Sequence, residues 1–65
     1  MDSYAIFIED VRNEEGEIVF KKGKRYYVAS EDKEMSLYFI QIKRRTNIVA
    51  EFPASLEGVL FDIEE

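Results

Sequence analysis

Seven of the nine Lys and Arg residues fall into two short clusters: Lys21, Lys22, Lys24, Arg25, and Lys43, Arg44, Arg45. Cations grouped in this way can neutralise phosphates or an acidic protein surface. The same clusters also read as two solvated turns, where lysine discourages pairing at a sheet edge. Most of the carboxylates gather in three places: Asp10, Glu14, Glu15, Glu17; then Glu31, Asp32, Glu34; then Glu57, Asp62, Glu64, Glu65. Such a surface can imitate nucleic acid, or simply keep loops and a chain end soluble by charge. Residues 9–17 lack the Asp-x-Asp-x-Asp-Gly order of a calcium loop. Histidine and cysteine are both absent. That removes the Ser-His-Asp set, the thiol nucleophile and the imidazole base. The glycines Gly16, Gly23 and Gly58 are too far apart to cradle a phosphate. Glu9 and Asp10 could do acid–base work, but a domain this small offers no deep cleft to shift their pKa. No catalytic residue, cofactor site or metal site is assigned, and the chain is not expected to be an enzyme.

The elements that must position these charges are short strands. At 65 residues the chain, residues 1–65, makes one domain. A domain of this size buries only about 60% of its unfolded surface, so its core has to pack efficiently. Nine aromatics supply that core, each able to bury ~150–250 Å². Residues 4–8 are β-prone. Residues 9–17 are polar, with Asn13-Glu14-Glu15-Gly16 as a turn signal. Ile18, Val19 and Phe20 form a short extended piece. Gly23 occupies a position that calls for positive φ.

Residues 24–30 form the next strand, with Tyr26 and Val28 on one face and Arg25, Tyr27 and Ala29 on the other. A charged loop, residues 31–34, follows. Residues 37–43 then place Tyr38, Ile40 and Ile42 inward, leaving Leu37 and Phe39 outward. Residues 44–47 read as a hairpin turn, with Asn47 tolerating a left-handed backbone. Residues 48–52 return as a strand, and Pro53, lacking a backbone donor, ends its ladder. One 3-10 turn is expected over 54–57. The last strand is expected over 59–63, with Val59, Phe61 and Ile63 sharing a face. No stretch shows helical periodicity.

Ile18, Phe20 and Gly23, with the acidic Glu14, Glu15 and Glu17 before them and Pro53 before the 3-10 turn, resemble the SH3 pattern. The resemblance runs from Ile6 to Ile63. It implies an all-β fold, a single SH3-like five-stranded barrel with a short 3-10 turn before the last strand. Closing the sheet would also remove exposed edges. SH3 domains that bind proline-rich peptides pack them on an aromatic shelf. Here the shelf positions fall near Ile8 and Asp10, Leu56 stands where the 3-10 turn should carry tyrosine, and tryptophan is absent; Tyr38 is its nearest substitute. Proline-rich ligands are therefore not expected. The closer comparison is with divergent SH3-like barrels of bacteria and phages, which implies a small adaptor or inhibitor docking on a host protein.

In such a meander the two basic turns lie toward the same end, so the clusters can merge. The expected partner-binding residues are Lys22, Lys24, Arg25, Tyr27, Phe39, Lys43, Arg44 and Arg45. The expected partner is a protein. Nucleic acid bound through the basic patch is the alternative, opposed by the net charge of −5, and assembly into a homo-oligomer is a third possibility. No 18-residue apolar run marks a membrane span. Met1-Asp2-Ser3 lacks the start of a signal peptide, and a cysteine-free acidic chain fits the cytoplasm.

Overall fold

Tyr4–Phe7 alternates half-buried and buried side chains, and this alternation defines β1. The computed structural model describes residues 2–43 and 47–65. Six more strands follow: β2 Val11–Arg12, β3 Ile18–Phe20, β4 Arg25–Asp32, β5 Leu37–Gln41, β6 Val49–Pro53 and β7 Phe61–Glu64. A 3-10 turn, Ala54–Leu56, precedes β7. The fold is all-β, as expected. Five strands pair in the order β6-β5-β4-β1-β7, and β2 and β3 form a separate two-stranded ribbon. Every ladder is antiparallel. Among the described residues no ladder joins β6 to β7, so hydrogen bonding leaves the main sheet with two outer strands.

β4 is the strand on which the architecture turns. Its first half pairs with β1, Tyr27 opposite Tyr4 and Arg25 opposite Ile6. Its second half pairs with β5, Val28 opposite Ile40 and Asp32 opposite Leu37. The register shifts between Val28 and Ser30. A bulge of this kind bends a strand and increases its twist, so one long strand serves two differently oriented parts of the sheet. The strand therefore continues through Glu31 and Asp32, which the charged composition had suggested were loop. Pairing with Tyr38 and Leu37 outweighs the low β-propensity of acidic residues.

The core gathers one or two residues from most strands: Ala5, Phe7, Phe20, Val28, Ile40, Phe52 and Phe61. Phe7 is its hub. Its ring stacks on Phe20 at 4.6 Å and meets Tyr26, Phe52 and Phe61 at 5.5, 5.6 and 5.5 Å. Offset and edge-on pairs of this kind add about 0.5–1.5 kcal/mol each beyond the area they bury. This cluster does the work that disulfides or metals do in many small domains.

The turns explain the remaining departures from expectation. Lys24 N–H donates to the Lys21 carbonyl at 3.1 Å, and Gly23 N–H donates to Phe7 O at 2.8 Å. Gly23 has φ +81, the left-handed region its sequence position suggested. The polar stretch 9–17 conceals β2. There the Asn13 side chain accepts from the N–H groups of Glu15 and Glu17, each at 3.0 Å, and the Arg12 guanidinium donates to Gly16 O at 2.7 Å. Val59 does not join Phe61 and Ile63 on the last strand. The N–H groups of Val59 and Leu60 both return to Leu56 O and Gly58 has φ +85. The chain wraps once more before β7 begins, leaving Val59 67% exposed. Most of the hairpin turn expected at 44–47 lies outside the described residues.

Candidate functional site

The outer face of β1, β4 and β5 carries the groove that brings the expected cations together. Tyr4 and Tyr27 are direct partners across the β1–β4 ladder, their ring centroids 5.8 Å apart at 60°. Arg25 lies two residues before Tyr27 and therefore on the same face. Its Cζ sits 4.3 Å from the Tyr4 ring centroid. The β4–β5 register places Val28 opposite Ile40. Continued outward, that register sets Gln41 beside Tyr27 and Lys43 beside Arg25. Lys24 Nζ lies 5.7 Å from the Tyr26 ring. These side chains, with Ile42, line one cleft of about 530 Å³.

Thus Lys24, Arg25, Tyr27 and Lys43, expected at the binding surface, are united. The antiparallel register explains how residues some 18 positions apart in sequence meet. Two other expected residues stand elsewhere. The backbone N–H of Lys22 donates to Asp10 Oδ1 at 2.7 Å, which ties the turn to the β1–β2 connection, and its side chain is exposed outside the cleft. Phe39 is half-buried, opposite Ser30 and Glu51. It sits two residues along β5 from Gln41, about 7 Å away at strand rise, and does not reach the groove. Arg44 and Arg45 lie outside the described residues. Tyr4 was not foreseen as a site residue. Its parity against Ala5 and Phe7 puts it on the outer face, but only the pairing with β4 shows that this face joins Tyr27.

A second, smaller cleft of about 250 Å³ adjoins the first through Tyr27 and has the opposite charge, with Asp2, Glu31 and Glu65 in its lining. The Tyr27 hydroxyl donates to Asp2 Oδ1 at 3.4 Å. Tyr38, also in this lining, donates to Glu57 Oε1 at 2.8 Å. That hydrogen bond pushes the Tyr38 pKa up to about 12, helped by partial burial and by the negative charges of Glu57, Glu31 and Glu65. Positive and negative clefts therefore flank one tyrosine.

Among the described residues no three carboxylates are placed to hold a metal ion, and no buried side-chain polar atom lacks a hydrogen-bond partner. Among them, too, no helix is long and apolar enough to cross a membrane. The groove offers three cations, two outward-facing tyrosines and an amide, a set suited to holding an anionic, partly apolar ligand. No family model, no curated protein and no solved structure matches the chain.

Proposed function

We propose that this chain is a small SH3-like barrel that works as a protein-interaction module, docking an acidic surface of its partner in the groove of β1, β4 and β5. The strand order β6-β5-β4-β1-β7, the bulged central strand, and the 3-10 turn just ahead of the last strand support the SH3-like part of this reading. The β2–β3 ribbon then stands for the long acidic loop of that pattern. The functional part rests on one observation: Lys24, Arg25 and Lys43 converge on a single cleft with Tyr4 and Tyr27. On a molecule of net charge −5, a local positive groove orients an approaching partner. The aromatic faces add apolar contact area of the kind concentrated at interface centres. In the bacterial or phage setting that the resemblance implies, such a module adapts or inhibits a host protein.

The test is a Lys24→Glu/Lys43→Glu double variant, immobilised and exposed to nuclease-treated lysate of the encoding organism. Partner capture should be lost while the thermal unfolding curve stays within a few degrees of the parent. Retained capture removes the groove from consideration. Nucleic acid, the alternative occupant, would show itself as a gel shift that weakens steeply with salt.

A homo-oligomer is a second reading, favoured by the outer strand β6. Val49 is 37% exposed and Ile48, just before it, is 60% exposed. An unpaired edge with apolar side chains is a template for self-pairing. Sedimentation of the parent should then show a defined oligomer, and Val49→Lys should return it to monomer. A parent that stays monomeric at high concentration removes this reading.

A further inference from the structure

The Arg25 guanidinium has two partners. It lies over the Tyr4 ring at 4.3 Å, and its Nη2 is 3.3 Å from Glu64 Oε1. Both charged side chains stay about half exposed, at 55% and 50%. The pairing follows from the register. β1 runs between β4 and β7, with Tyr4 opposite Tyr27 on one side and opposite Glu64 on the other, while Ile6 faces Arg25. Arg25 and Glu64 therefore meet diagonally across β1, above Tyr4. The tyrosine ring fixes the plane of a guanidinium that has five N–H donors, and Glu64 meets it through Nη2.

From this arrangement we propose that the groove recognises a carboxylate in an extended segment of a partner protein whose carboxylates are spaced by neutral residues, and that Glu64 is the chain's own competitor for the Arg25 guanidinium. The inference rests on the protein-interaction reading above. The Glu64 carboxylate marks where the incoming one sits, and it has to be displaced or shared when the partner docks. Charge placement favours a protein segment over a nucleic acid. Asp62 and Glu64 alternate along the exposed face of β7, beside the groove. A continuous phosphate chain would run against these carboxylates. An isolated carboxylate between neutral residues can reach Arg25 without passing them, and an aromatic or aliphatic neighbour can rest on Tyr4 and Tyr27.

An exposed ion pair of this kind contributes 0.2–1 kcal/mol, which corresponds to about a 1.4- to 5-fold change in affinity when one partner is removed. The experiment titrates an end-capped eight-residue peptide, two glutamates flanking a tyrosine among glycines and serines, against the parent, E64Q, D62N, R25Q and the R25Q/E64Q pair. A twelve-residue oligothymidylate serves as the nucleic-acid probe. D62N removes the same charge from the same strand without touching Arg25 and so reports the general electrostatic effect alone. Tighter peptide binding by E64Q, about 1.4- to 5-fold and beyond that of D62N, with the gain absent in the R25Q background, supports the proposal. Equal binding by E64Q and the parent, or equal gains in E64Q and D62N, overturns the competitor role and leaves the interaction module standing. Binding of oligothymidylate in place of the peptide overturns both readings. Failure of both probes removes carboxylate recognition and the groove together.

Discussion

Replacing Phe7 with alanine tests the core that holds the groove in shape. Phe7 is 1% exposed and touches four other rings. Truncating a buried phenylalanine to alanine costs about 3–5 kcal/mol, from lost transfer energy and from the cavity left behind. The upper end applies here, because each ring pair contributes geometry-dependent energy as well. At 0.05–0.15 kcal/mol per residue, a chain of 65 residues has about 3–10 kcal/mol to lose. Phe7→Ala should therefore remove about half or more of the stability at 25 °C. Phe7→Leu keeps more volume, should still fold, and should melt between the parent and the alanine variant. The assay is thermal and urea unfolding followed by near-ultraviolet circular dichroism, where the aromatic cluster gives the signal. For a domain of this size each 1 kcal/mol moves Tm by about 4–8 °C. Tyr4→Ala, on the opposite face of the same strand, should cost clearly less. A fall in Tm of under about 4 °C for Phe7→Ala, or an equal fall for the two alanine variants, would refute the alternation argument for β1 and the hub role of Phe7.

Two further outcomes follow from local geometry. Gly23→Ala meets no atom within 4 Å of its new Cβ, so its cost is backbone strain alone at φ +81, about 1–2 kcal/mol for a left-handed residue; unchanged urea midpoints would contradict this. Tyr38 should ionise late in an absorbance titration, near 12 against an ordinary 10.0, identified by difference from Tyr38→Phe. Its neutral form is the one the fold favours. The stability it contributes is present below pH 10 and is lost as pH rises through about 12, because the unfolded chain gives up that proton first. Glu57→Gln removes the acceptor that leads the shift and should bring the titration back toward 10, and a Tyr38 that ionises near 10 in the parent would show that the Glu57 bond is absent in solution.

Much of the strand pattern was readable from residue types. Tyr4–Phe7 and Ile18–Phe20 stand out by apolar and aromatic content, and Gly23 and Pro53 mark a bend and a ladder end because of what each can and cannot do with its backbone. The inward row Tyr38, Ile40, Ile42 also follows from alternation, and Ile40 is fully buried. β2 was not readable, because Val11–Arg12 is held by a partner strand and by the Asn13 side chain rather than by its own propensity. The onset of β7 was misplaced for a similar reason: the hydrogen bonds back to Leu56 O draw Val59 out of an otherwise regular alternation.

Composition alone establishes an acidic chain without histidine or cysteine chemistry, and local pattern alone establishes strands and turns. Those properties belong to individual residues or to near neighbours along the chain. The groove belongs to neither class. Tyr4, Arg25, Lys43 and Glu64 are brought together by three antiparallel registers. A shift of a single residue in any register would turn these side chains to the opposite face. Which charges meet, and which of them Glu64 already answers, is therefore decided by the pairing of distant strands, because register is an energy shared across the whole packed sheet.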